Sequence, residues 1–219
     1  MSTLSNVKNP RGGSGPPTSD LSPMSPPKDT ERGVGRVCSD DNKKWFVLRV
    51  TYNRIAKACE LLCEANIEYY FPQHYVQKVI KGKKKRVLEP FLPNLIFAYS
   101  TKDSIYSFIK NNPKNNFINF YYNHFEENGI TNPPLVVGDK EMENFIKVTS
   151  IDNEHVRIVN PEQCHYKSGD LVRIVEGDFE GIVGRVARVA GQQRVVVEIK
   201  GVCAAVTAYI PSAFLDIVR

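Results

Sequence analysis

The sequence predicts an α+β chain in which an antiparallel sheet with packed helices is joined to a small five-stranded β-barrel. Three observations carry this. An abrupt run of aromatic and branched residues begins at Lys43 after a segment with no Phe, Tyr or Trp. Helical and strand-like periodicities then alternate through about residue 150, and from about residue 168 the pattern becomes purely β, rich in Val and Ile. Residues 1–42 hold six Pro, five Gly and seven Ser, too little apolar surface to offset ordering entropy, so they read as a disordered tail.

"KKWFVLRV" (43–50) suits a buried strand. "NRIAKACELLCEAN" follows with Asn53 as the expected N-cap, and Ile55, Ala58, Leu61 or Leu62 and Ala65 falling on one helical face. "IEYYFPQHYVQKVIK" returns to strand alternation, so Lys81–Arg86 is expected at the tip of a β-hairpin whose second strand starts near Val87 or after the prolines. "NLIFAYS" (94–100) reads as a central strand. "TKDSIYSFIKNN" (101–112) reads as a helix, "NNFINFYYNHF" (115–125) as a strand, and "GDKEMENFIKV" (138–148) as a helix with Met142, Phe145, Ile146 and Thr149 inward. A polar connector is expected over 151–167, and a barrel over 168–219, where turn signals punctuate Val-rich runs.

The net charge of +5 is unevenly spread. Residues 1–42 sum to zero, 43–150 carry sixteen basic and ten acidic side chains (+6), and 151–219 carry eight and nine (−1). Much of the excess is one loop, Lys81, Lys83, Lys84, Lys85 and Arg86, whose crowded cations point to an anionic partner, against a solvated hairpin tip as the plainer reading. Lys43, Lys44, Arg49, Arg54 and Lys57 would extend that face. Five irregularly spaced cysteines do not form a disulfide framework, and there is no apolar leader and no 18-residue apolar run. These features lead to the expectation of a cytoplasmic protein that does not enter membranes.

"GDLVRIVEGDFEGIVG" (169–184) looks like a KOW motif, with Gly169, Asp170, Gly177, Phe179, Gly181 and Gly184 as its residues. Gly177 and Gly181 would permit positive φ in a tight loop, and Phe179 would plug one end of an SH3-like barrel. Upstream, "KWFVLRV", a helix, a basic hairpin and "EPFLPNLIFAY" resemble the N-terminal domain of the NusG family of transcription elongation and antitermination factors. The resemblance covers roughly residues 43–219. Asn94 in "FLPNLIF", with "WFVLRVTYNR" and "RVVVEIKGVCAAVTAYI", is similar to specialised members, the RfaH type and the UpxY antiterminators of Bacteroides-type polysaccharide operons.

The resemblance implies a non-enzymatic, cofactor-free, monomeric factor that binds the clamp helices of RNA polymerase's largest subunit and suppresses pausing and termination on a specific operon. Tyr52, Leu95 and Phe97 match positions near the docking surface, although alternation also allows Leu95 and Phe97 to be core beneath a helix. Non-template or upstream DNA and nascent RNA are further implied partners. The polar recruitment side chains of the RfaH type are not retained in "TYNRIAKACELL". Lys200 and Val202 stand where the general factor uses residues that dock a ribosomal protein or Rho, which leaves the barrel's protein partner unknown.

Two rival classes are weighed against this. Cys59 and Cys63 share a helix face, but no second cysteine pair completes a zinc set, so buried apolar thiols are the better reading. No phosphate loop or nucleophile–base pairing stands out. An RNA- or ribosome-binding KOW module is the alternative, disfavoured by the −1 charge of residues 151–219.

Overall fold

The computed structural model describes residues 42–122 and 132–218. The expected disorder of residues 1–41 and the end of the strand expected over 115–125 lie outside these. The central strand β1 (Lys44–Val50) alternates between two cores, since successive side chains of a strand point to opposite faces. Phe46, Leu48 and Val50 enter one core; Val47, with Trp45 packed at its margin, enters the other. The helix α1 (Ile55–Glu64) lays Ile55, Ala58, Leu61 and Leu62 on the first face. Its N-cap is Arg54, without a side-chain cap, and the expected cap Asn53 instead takes a left-handed φ of 54° in the turn.

The short strand β2 (Glu68–Tyr70) leads into a separate hairpin of β3 (Gln73–Ile80) and β4 (Lys83–Pro90), after which β5 (Leu95–Ser100) returns beside β1. α2 (Lys102–Lys110) starts at Thr101, whose hydroxyl accepts from the Ser104 N–H at 3.2 Å, and buries Ile105 with α1. β6 (Ile118–Phe120) and the two-residue β7 (Val136–Val137) both pair with β1. The sheet path is β2–β5–β1–β6, antiparallel throughout.

α3 (Asp139–Ser150) covers the opposite face from α1 and α2, so the helices flank the sheet rather than sharing one side. Its buried residues Met142, Phe145, Val148 and Thr149 include three of the four expected. The fourth, Ile146, is half-buried at the same core. Phe145 packs on Phe97 with ring centroids 5.2 Å apart, and the Tyr70 hydroxyl meets Thr149 Oγ1 at 2.7 Å while Thr149 donates to the Phe145 carbonyl.

Beyond α3 the chain forms β8 (Arg157–Val159), β9 (His165–Ile174), β10 (Val183–Val189), β11 (Gln192–Ile199), β12 (Cys203–Tyr209) and β13 (Leu215–Ile217). They build one antiparallel sheet with the path β13–β9–β10–β11–β12–β8. Among the described residues no pairing joins β13 to β8, so what is observed is an open six-stranded sheet in place of the expected closed five-stranded barrel. The extra strand comes from the stretch expected to be a connector: β8 pairs with β12, Ala205 opposite Ile158. β12 is buried from Cys203 to Thr207, and an unpaired edge there would leave its backbone groups unsatisfied. In the sequence β8 is three residues in polar surroundings, too short to show a period.

α3 also touches this second sheet. Its buried face belongs to one continuous core with Val172, Ile174, Val197 and Ile199, and the Val183 N–H donates to Asn144 Oδ1 at 2.8 Å. No helix among the described residues is long and apolar enough to cross a membrane. Asn144→Ala removes the acceptor of a part-buried amide and should cost about 1 kcal/mol, a fall of a few degrees in Tm. Phe97→Ala should cost about 3–5 kcal/mol by leaving a cavity under Phe145. Thermal denaturation of both variants beside the parent measures each, and equal losses would contradict this ranking.

Candidate functional site

The hairpin is built on a two-residue turn. Lys81 (φ 51°) and Gly82 (φ 76°) both adopt left-handed backbone, the combination whose twist matches the flanking strands. Consequently the strands are longer than expected, and Lys83, Lys84, Lys85 and Arg86 lie within β4; only Lys81 is at the tip. The base is closed by the Phe91 N–H bonding to the Pro72 carbonyl at 3.0 Å and by His74 stacked on Phe91, centroids 4.1 Å apart.

Register divides the cations between both faces. Lys83 sits opposite Ile80 and Lys85 opposite Lys78, while Lys84 sits opposite Val79 and Arg86 opposite Gln77. Like charges directly opposite are unfavourable. Here the Lys78–Lys85 pair is relieved because Lys78 forms an ion pair with Glu89. Arg86 is not available as expected: its guanidinium holds the Asp152 carboxylate and lies 4.2 Å over the Tyr75 ring. That clasp fastens the hairpin to the segment after α3. Lys81, Lys83, Lys84 and Lys85 are exposed, with no ion-pair partner among the described residues. Between them stand Val79, 70% exposed, and Ile80, 39% exposed. The sequence reading missed both, since Val and Ile in alternating sequence look like core. The proposed basic extension is weaker: Lys57 pairs with Glu60 at 2.8 Å, and Arg54 lies over Phe117.

The three docking candidates separate. Phe97 is fully buried between the sheet and α3 and is core, a correction that follows from α3 occupying that face. Leu95 is half-buried at the margin of the same core. Tyr52 is 81% exposed in the turn after β1, with φ of 61°. Arg49 pairs with Leu95, and the Val50 N–H bonds to the Asn94 carbonyl at 2.8 Å, so Leu95 and the Tyr52 turn share one end of the sheet. A bulky residue held in left-handed backbone is strained, and such strain concentrates where a side chain must be displayed.

The loop between β9 and β10 has the conformation expected of it. Gly177 (φ 87°) and Gly181 (φ 80°) take positive φ, and Phe179 is buried in the core. At Gly184 a Cβ would lie 2.6 Å from the Val196 carbonyl oxygen, so β10 and β11 approach too closely for any side chain there. Gly169 and Asp170 lie within β9. No group of three or more metal-ligating side chains occurs among the described residues. Burial raises the Cys59 thiol to about 11 and Cys203 to about 12, leaving neither poised as a nucleophile.

Residues 43–146 match the family model described as "Transcription termination factor nusG". The match spans the first sheet with its helices and ends inside α3. A solved structure described as "Domain interaction in Thermotoga maritima NusG" is similar at 18% identity and a TM-score of 0.38. The alignment covers 82% of this chain and 99% of that one. No curated protein matches the chain.

Replacing Tyr52 by Gly should relieve the left-handed strain and stabilise the fold by roughly 1 kcal/mol, read as a small rise in Tm. A fall in Tm would show that the exposed ring packs after all. Among the four described cysteines, exposed Cys63 should be alkylated by iodoacetamide at pH 8 well before Cys59, as peptide mapping would report.

Proposed function

We propose that the chain is a transcription elongation and antitermination factor that binds RNA polymerase and suppresses pausing and termination, serving a specific operon such as a surface-polysaccharide locus. The observation that carries the reading is the hairpin within the stretch that matches the NusG model, which presents four lysines with no ion-pair partner among the described residues, spread over two faces of one ribbon. A two-stranded ribbon with cations on both sides suits a phosphate-lined groove or the non-template strand near the polymerase. Tyr52 and Leu95 provide the contact to the clamp helices of the largest subunit. Phe97 supports that contact from beneath, as core. The KOW-type sheet carries a separate protein partner, and the factor works as a cytoplasmic monomer without cofactor or enzymatic step.

The test is binding of the full chain to core RNA polymerase carrying a nucleic-acid scaffold. Two variants accompany it: Lys83, Lys84 and Lys85 changed to Ala, and Tyr52→Asp. Loss of three phosphate contacts should flatten the plot of log affinity against log salt by roughly 2–3. Tyr52→Asp should weaken binding to the polymerase alone. The salt dependence is checked on scaffold-loaded polymerase and the Tyr52 effect on core enzyme. An unchanged pause and termination profile on the cognate operon, with protein in excess, would sink the reading. Co-sedimentation with ribosomal subunits in place of polymerase would replace it with an RNA- or ribosome-binding module.

A further inference from the structure

The second sheet carries a buried positive charge that its own side chains do not neutralise. Arg194 is 8% exposed at the start of β11. Its Nη1 donates to the His155 carbonyl at 3.1 Å and to the Thr207 carbonyl at 2.8 Å, and its Nη2 donates to Gln192 Oε1 at 2.8 Å. All three acceptors are neutral. Nε makes no hydrogen bond among the described residues, and Nη2, which carries two hydrogens, has Gln192 as its one acceptor among them. An Nε–H and an Nη2–H side by side are the fork with which an arginine grips an oxyanion through parallel bonds. Burial, and then the positive charge of Arg157 nearby, lower the Arg194 pKa, so the protein itself works against this cation.

Arg194 lines a cleft of about 520 Å³ on the face of the sheet away from α3. The floor is Val159, Val189 and Val206, and the polar rim includes Arg157, His165 and Glu162. Arg157 is exposed and has no ion-pair partner among the described residues. An uncompensated buried charge is expensive and ordinarily pairs with a counter-charge. We propose that this cleft binds a phosphate-type oxyanion, held by the free edge of Arg194 and by Arg157. Two guanidiniums outweigh the single Glu162 carboxylate, which favours a multiply charged anion over a simple carboxylate. Such a group can be free phosphate or the phosphate of an RNA strand; the chemistry of recognition is shared.

The experiment titrates the full chain with inorganic phosphate, adenosine 5′-monophosphate, a short single-stranded RNA and acetate, at matched ionic strength. Calorimetry and the ligand-dependent rise in Tm report binding. Phosphate should bind more tightly than acetate. Arg157→Gln, an exposed change that leaves the fold intact, should weaken phosphate about tenfold, and Glu162→Gln should tighten it. A purely structural Arg194 predicts neither change. Equal affinity for phosphate and the nucleotide assigns a free-anion site, whereas tighter RNA binding that still needs Arg157 assigns a backbone phosphate; both support the proposal. Failure of phosphate to bind, or affinity indifferent to Arg157 and Glu162, overturns it. Neither outcome depends on polymerase binding, so this site and the proposed function fail independently.

Discussion

Everything in this molecule hangs on the two-sidedness of the β1–β5 pair. Phe46, Leu48, Ile96 and Ala98 face α1 and α2, while Val47 and Phe97 face α3. Because the side-chain period of a strand is two, a slip of one residue would exchange these sets wholesale. The slip would push Arg49, now exposed, towards a core. Both faces being buried thus locks the register, and the register places Leu95 and the Tyr52 turn at one sheet end and the hairpin base beside it.

How far this was legible in the sequence depended on length and repetition. α1, α2 and α3 announced themselves by apolar spacing, and β1 and β5 by dense branched and aromatic runs, all within a residue or two of where they lie. The glycines of the β9–β10 loop were readable because positive φ leaves few alternatives. Three things were not readable. β8 is defined by the partner it covers, not by its own residues. The side on which α3 docks is a tertiary choice that its periodicity cannot encode, and that choice turned Phe97 from a contact candidate into core. The turn at Lys81–Gly82 was obscured by the lysine run around it, and with it the true strand limits.

The charges repeat the lesson. Five cations in six residues look equivalent in a string, yet position in the ribbon sorts them. Arg86 is spent on Asp152 and Tyr75, a structural clasp no local pattern announces because its partner is 66 residues away. The lysines that remain alternate in side, which makes the ribbon a two-sided electrostatic surface and not a cationic patch. Arg194 is the converse case: nothing in "GQQRVVVEIK" marks it as buried, and only its neutral acceptors reveal an unbalanced charge.

α3 gives its inner face to both sheets at once. Its Met142, Phe145 and Val148 belong to a single core with residues of β9 and β11. The two halves are therefore not modules on a string but parts with a common keystone. Cutting the chain after the helix would leave an N-terminal piece with an apolar wound on α3 and a C-terminal piece missing its cover. Swapping either half for that of a relative would require the incoming surface to fit this helix. Evolution of the second sheet is thereby tethered to the helix, and change on one side must be answered by change on the other.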